Sequence, residues 1–114
     1  RLLVTPEYGI TGYPGNDREL WFASAIDIPE VQSTPMNFCE SANGTFPLAL
    51  QKLSCMSKLN RMAIVASLID IKNCGTWPNY PGCSSSRDGY LLFNADVVFN
   101  SDGSFMAKYH KANK

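Results

Sequence analysis

A continuous apolar run, Met62–Ile69, is the feature of this 114-residue chain that most restricts its fold. Its length and its β-branched members are typical of a strand buried on both faces. Such a strand needs other elements packed against both of its sides. A shorter apolar run, Leu2–Thr5, is stopped by Pro6 and predicts the end of a second buried strand.

The last third of the chain predicts a β-hairpin. Residues 90–99 have a strand-like composition, and residues 100–103 form a turn in which Gly103 can adopt a positive φ angle. From Ser104 to His110 the pattern alternates again. We expect one face of this strand to carry Phe105, Ala107 and Tyr109, and the other to carry Met106, Lys108 and His110.

Two helices are expected before the apolar run. Residues 17–23 predict a short helix with Asn16 or Asp17 as its cap. A longer helix follows, with Thr45 as a cap and Pro47 near its first turn. We expect its core-facing stripe to consist of Ala49, Leu50, Leu53, Met56 and Leu59. The order of strand, helices, strand and hairpin predicts an α+β (mixed α/β) fold.

Composition excludes several classes of protein. Hydrophobic residues make up 45% and charged residues 18%, as in a packed globular domain. The net charge is zero, which gives no electrostatic basis for binding nucleic acid or an anionic membrane. No apolar run approaches the roughly 20 residues that span a bilayer. The first residues do not resemble a signal peptide, so the leader of a secreted parent would lie outside this sequence.

Four cysteines and a glycosylation sequon bear on the compartment. The sequon is Asn43-Gly44-Thr45, which is usable only on a secretory route. An even number of cysteines favours an oxidising compartment over a cytosolic domain with four buried thiols. Sequence alone cannot choose among the three pairings. We favour Cys74–Cys83, which would staple a loop that has no core, and this leaves Cys39–Cys55. The spacing does not favour a zinc site.

Three residues are candidates for chemistry, each with an ordinary alternative. Glu7 follows the first strand, where a partly buried carboxylate can act as a general base, although strand-end glutamates are more often solvated turn residues. Lys111 ends the hairpin, where an ammonium can stabilise an oxyanion, although such lysines usually lie at the surface. His110 could also act as a base, but a lone histidine is more often structural.

Two separated segments carry a resemblance that changes this balance. Residues 6–10 resemble the first motif of the nitrilase (carbon–nitrogen hydrolase) superfamily, whose glutamate is the general base and matches Glu7. Residues 96–103 and 107–113 look like the second motif, whose lysine matches Lys111. The amino-acid sequences of these segments are most similar to the vanin/biotinidase branch. The same holds for residues 53–55 and for the loop that contains Cys74 and Cys83. The resemblance extends over nearly the whole chain.

The resemblance implies that residues 1–114 are part of a carbon–nitrogen hydrolase domain, without its first strand and helix and without its nucleophile-bearing part. The fold would be a four-layer α-β-β-α sandwich, often dimeric in the superfamily. The family's nucleophilic cysteine would lie beyond Lys114, because none of the four cysteines here matches its motif. The chain alone should therefore be inactive, and its binding partner would be the remainder of its own parent chain.

For that parent, the resemblance implies a secreted amidase that needs no metal or organic cofactor, with any membrane anchor in a missing C-terminal segment. Its small-molecule substrate would be pantetheine, cleaved to pantothenate and cysteamine, or a biotinyl amide such as biocytin. Two other hypotheses stay open: a catalytically silent family member kept as a secreted binding or structural protein, and an unrelated disulfide-stapled module.

Overall fold

The computed structural model describes residues 2–7, 9–13, 15–40 and 46–113, which form one mixed sheet and two α-helices. Its four strands lie side by side in chain order, with the first pair parallel and the other pairs antiparallel. This architecture confirms the α+β class predicted from the sequence. The elements are β1 (Leu2–Val4), α1 (Arg18–Ser24), α2 (Leu48–Asn60), β2 (Ala63–Asn73), β3 (Tyr90–Phe99) and β4 (Phe105–Asn113).

Strand β2 is largely buried along both faces, as its apolar run predicts, and it continues four residues beyond that run. Ile64, Ala66 and Leu68 point to one face, where they join the larger apolar core together with residues of α2. On the other face, Ile69 packs with Trp21 of α1 in a smaller cluster. The sheet therefore has two distinct sides, an α2 side and an α1 side.

Residues 2–5 were predicted to end a buried strand, and the prediction of burial is wrong. β1 is a strand, but Leu2, Leu3 and Val4 are 62%, 40% and 58% exposed. The reason is its position: β1 lies at the edge of the sheet and pairs with β2 alone among the described elements. An apolar run indicates what a strand can bury, and neighbouring elements decide whether it does.

Helix α1 confirms the short helix expected near residue 17. Asp17 is its N-cap and accepts a hydrogen bond from the backbone N–H of Glu19 at 3.0 Å. Arg18 pairs with Asp88 at 2.7 Å and so ties the helix to the loop before β3. The hydrogen bond from Arg18 holds the pKa of Asp88 at about 2, below its ordinary value.

Helix α2 begins two residues later than its predicted cap implies. Its N-cap is Pro47, which makes no side-chain capping hydrogen bond, and Thr45 lies outside the described residues. The helix ends at Arg61, whose φ of 50° is a left-handed C-cap.

The core-facing stripe of α2 differs from the predicted one in its second half. Leu50 and Leu53 are buried, but Met56 and Leu59 are 45% and 79% exposed. The buried positions there are Ser54 and Ser57. Ser54 donates a 2.6 Å hydrogen bond to the carbonyl of Gly103, and Ser57 donates one of 2.7 Å to Met62. The small side chain of Ser54 lets the helix approach the turn of the hairpin closely.

The turn at Gly103 shows how close that approach is. Gly103 has a φ of 92°, and a Cβ atom there would lie 2.9 Å from the carbonyl oxygen of Ser54. Both the backbone conformation and the contact therefore require glycine.

The β3–β4 hairpin contains two irregularities in register. Val98 pairs with Ala107 and Phe99 with Phe105, so Met106 is an extra residue in β4. This bulge overturns the predicted alternation, because it places Phe105 on the same side as Lys108 and His110. Phe105 lies in the larger core, and the other two side chains contact Asp70 of β2 on that side of the sheet.

Both cysteine pairs that we favoured are disulfides in the structure. Cys39–Cys55 joins the segment before α2 to the helix, and Cys74–Cys83 closes the loop between β2 and β3. All four cysteines lie in the described part of the chain, so the sequence shown supplies no free thiol.

Candidate active site

Glu7 lies in a tight turn directly after β1. Thr5 extends the strand pairing by one residue, since its N–H donates to the carbonyl of Val65 at 2.9 Å. Pro6 then ends the pairing, and the N–H of Gly9 donates back to its carbonyl at 2.8 Å. A Cβ at position 9 would clash with that same oxygen at 2.8 Å. The turn therefore needs glycine at position 9, and it holds Glu7 beside the sheet.

Lys111 is brought to Glu7 by the second irregularity of the hairpin. Ala95 pairs with His110 and Asn94 with Ala112, so Lys111 is an extra residue in β4. Bulges of this kind redirect a side chain and occur often beside active sites. Lys111 Nζ donates to Glu7 Oε2 at 3.0 Å, although the two residues are 104 positions apart.

Asn94 is a third member of the site, and no local sequence pattern indicates it. Its amide Nδ2 donates to Glu7 Oε1 at 2.7 Å, and its Oδ1 accepts from Ser67 Oγ at 3.4 Å. Asn94 and Ser67 are both buried, whereas the Glu7 and Lys111 side chains are 48% and 37% exposed. We call Glu7, Asn94 and Lys111 the carboxylate site.

The chemistry available at the carboxylate site is that of a base beside a fixed cation. A lysine ammonium 3 Å from a carboxylate favours the charged form of each group. A carboxylate can take a proton, and an ammonium can stabilise negative charge that develops on a carbonyl oxygen. A half-exposed ion pair contributes about 1 kcal/mol or less to stability. Its placement therefore needs an explanation other than stability.

His110 is on the opposite side of the sheet from the carboxylate site. Its Nε2 lies 2.5 Å from Asp70 Oδ2, and its ring stacks on Phe93 with centroids 3.9 Å apart. Tyr80 OH lies 3.4 Å from its Nδ1. The histidine thus has partners that its sequence neighbours do not indicate, and it does not contact Glu7 in the structure.

Asp70 is fully buried and is the centre of a charged cluster. Lys72 and Lys108 approach its two oxygens at 3.3 and 3.5 Å, and the N–H of Ile28 donates to it at 2.9 Å. Burial acts to lower the pKa of Lys72. The hydrogen bond from Lys72 to Asp27 and the charge of Asp70 outweigh it, so that pKa is raised above its ordinary value. The cluster therefore favours the charged form of the nearly buried Lys72.

Asp70→Asn is expected to destabilise the intact parent protein by about 3 kcal/mol, because it removes a buried counter-charge from Lys72 and Lys108. Chemical denaturation would measure the loss in the free energy of unfolding. Asp102→Asn is the matched control, since Asp102 is exposed and its carboxylate accepts hydrogen bonds from Ser104 within the same turn. Equal stability of the two variants would show that the Asp70 charge is not needed.

A cleft of about 1040 Å³ opens on the side of His110. Aromatic side chains of Trp77, Tyr80 and Phe93 line it together with Lys72. Desolvation and the negative charges of Glu30 and Asp70 raise the pKa of Tyr80. Neither Glu7 nor Lys111 lines this cleft, so it is separate from the carboxylate site.

Asn43 and its sequon lie outside the described residues. In the part of the chain that the structure describes, neither helix has the length and apolar character to cross a membrane.

Comparison with known proteins gives a consistent result. The model of the carbon–nitrogen hydrolase family matches residues 1–113. Pantetheinase from Homo sapiens is 38% identical over 98% of this chain and 21% of its own length. Biotinidase from Takifugu rubripes is 33% identical over 99% of this chain and 22% of its own length. The chain thus spans about a fifth of the length of these relatives.

Among solved structures, the crystal structure of N-terminal amidase matches 97% of this chain and 19% of its own, with a TM-score of 0.57. At 14% sequence identity this likeness shows a shared fold. The sheet and helices of this chain therefore share the fold of part of the N-terminal amidase structure. The chain belongs to the carbon–nitrogen hydrolase family.

Proposed function

We propose that this chain is part of a secreted amidase that hydrolyses pantetheine to pantothenate and cysteamine. The observation that carries the proposal is the contact between Glu7 and Lys111, in which a carboxylate and an ammonium meet at 3.0 Å. Relatives named pantetheinase, 38% and 37% identical to this chain, support the substrate class.

The proposed reaction uses a cysteine thiol from outside this sequence. Glu7 takes the thiol proton as the sulfur attacks the amide carbonyl, and Lys111 stabilises the oxyanion of the tetrahedral intermediate. The C–N bond then breaks, and the amine leaves with the proton held by Glu7. Glu7 next removes a proton from water as the water oxygen attacks the thioester. The C–S bond then breaks, the acid is released, and Glu7 returns its proton to the departing sulfur, which restores the thiol. No group beyond these residues, the thiol and water is needed to balance the steps.

A second candidate function is hydrolysis of biotinyl amides such as biocytin. The relatives named biotinidase, from Takifugu rubripes and Bos taurus, favour it at 33% and 34% identity. A third is a catalytically silent secreted protein, since all four cysteines of this chain are in disulfides and the nucleophile must come from elsewhere.

The setting of this activity is also part of the proposal. Residues 1–114 would be a partial domain that is completed by the rest of its own chain, and a homodimer would follow the superfamily. The two disulfides support an oxidising, extracellular location. The Asn43 sequon, if glycosylated, would agree with a secretory route.

Product release from the intact parent tests the proposed function. We expect cysteamine to be released from pantetheine faster than lysine is released from biocytin, with each amine measured by mass spectrometry. Faster release of lysine would replace the first candidate by the second. Cleavage of neither amide, by folded parent with its disulfides intact, would contradict both and favour the silent protein.

A further inference from the structure

We infer that Asn94 is the positioning residue that orients the Glu7 carboxylate for proton transfer, an inference that rests on the proposed function. Asn94 does not need to touch the substrate in this role. It would act through Glu7 by fixing which oxygen faces the reacting group and by favouring the ionised carboxylate.

The geometry divides the two carboxylate oxygens of Glu7 between two partners. Asn94 Nδ2 donates to Oε1 at 2.7 Å, whereas Lys111 Nζ donates to Oε2 at 3.0 Å. Two donors on different oxygens fix the rotation of the carboxylate plane, which one ion pair alone would leave variable. Orientation of this kind is what a general base needs before the substrate binds.

Asn94 is itself held rigidly. It lies within β3, is 3% exposed, and pairs in register with Ile69 of β2. The Ser67 hydroxyl donates to its Oδ1, and this leaves the NH₂ group directed at Glu7. The N–H of Ser67 in turn donates to Thr5 Oγ1 at 3.1 Å, two residues before Glu7. A path of buried and partly buried polar contacts thus connects β3 to the turn that carries the base.

A polar residue at this position is not explained by packing. Asn94 stands between buried apolar residues of β3, Phe93 and Ala95. A buried amide is costly unless it is hydrogen-bonded, and an apolar residue would avoid that cost. An apolar side chain could serve neither the Ser67 hydroxyl nor Glu7, and of these two partners Glu7 is the charged one and has the shorter contact.

Other ionisable groups lie on the same side of the sheet as Asn94 and Glu7. Asp96 and Tyr109 are paired positions on β3 and β4, and by strand alternation they face the same side as Asn94. Arg18 of α1 pairs with Asp88 instead. Among the contacts of the described residues, Lys111 is the charged group shown beside Glu7. A change at Asn94 that adds no charge therefore reports on the hydrogen bond to Glu7.

The test is the pH dependence of kcat/KM for pantetheine in the intact parent carrying Asn94→Leu. Leucine has a similar size and cannot donate to Glu7. We expect kcat to fall about 10- to 100-fold with KM changed less than about threefold, as for lost alignment of a base. Loss of the hydrogen bond disfavours the ionised carboxylate. The acid limb should therefore move to higher pH by roughly one unit.

Ser57→Ala is the control for a purely structural effect. Ser57 is also buried and loses one hydrogen bond, but it lies in α2, on the other side of the sheet. We expect it to lower the melting temperature and leave the pH profile unchanged. If Asn94→Leu does not fold, Asn94→Ser, which is too short to reach Glu7, should show the same shift of the acid limb.

The outcomes separate this inference from the proposed function. An unshifted acid limb in the Asn94 variants, with activity that still requires Glu7, would overturn the positioning role and leave the proposed function standing. Activity that does not require Glu7 would overturn both.

Discussion

Glu7→Gln in the intact parent protein is expected to lower kcat for amide hydrolysis by roughly 10²- to 10⁴-fold, the usual contribution of a general base. Glutamine has nearly the same shape and can still accept from Asn94, but it cannot take a proton from a thiol or from water. The ion pair it breaks is half exposed, so the free energy of unfolding should change by about 1 kcal/mol or less. Steady-state kinetics and denaturant unfolding measure the two effects separately.

Glu30→Gln is the matched control for that variant. Glu30 also pairs with a lysine, Lys108, at 2.8 Å, and its side chain is 65% exposed. It lies beside the Asp70 cluster, on the other side of the sheet from the carboxylate site. The same chemical change there should leave turnover near that of the wild type. Retained turnover in Glu7→Gln would remove Glu7 from the mechanism.

Lys111→Ala is expected to lower kcat by roughly 10²- to 10³-fold, the effect of losing one oxyanion partner. KM should change little, because the ammonium stabilises charge that exists only in the transition state. The substitution leaves the hydrogen bond from Asn94 to Glu7 in place.

Lys58→Ala provides the comparison for this second variant. Lys58 forms a similar exposed ion pair, with Glu40 at 3.1 Å, but it lies near the end of α2. Its removal should not affect kcat. If Lys111→Ala raised KM with an unchanged kcat, the lysine would bind the ground state of the substrate, and the oxyanion role assigned to it would be wrong.

The parts of the fold that were predictable are those set by local patterns. The apolar run of β2 and the turn signal at Gly103 require only neighbouring residues, and both are confirmed. Burial depends on which elements are adjacent, so β1 was wrongly expected to be buried. The stripe of α2 was wrong in its second half because Ser54 and Ser57 find backbone acceptors outside the helix, at Gly103 and Met62.

The candidate site also contains residues that the sequence predicted and residues that it did not. Glu7 and Lys111 were found through resemblance, and the structure brings them together, but their catalytic roles stay predictions. Asn94 and Asp70 were missed because their partners lie on segments distant in sequence that only the pairing of the strands brings together. Glu7 and Asn94 are 87 positions apart, and no local pattern connects them. A search for polar residues inside otherwise apolar strands would have drawn attention to both missed residues.

The most direct test of the account is a crystal structure of the intact parent with an aldehyde analogue of the substrate's acyl group bound at its nucleophile. We predict Lys111 Nζ at about 2.7–3.1 Å from the oxygen of the former carbonyl, and a Glu7 oxygen within hydrogen-bonding distance of the reacting centre. A bound analogue that contacts neither residue would contradict the claim that the two act on one amide.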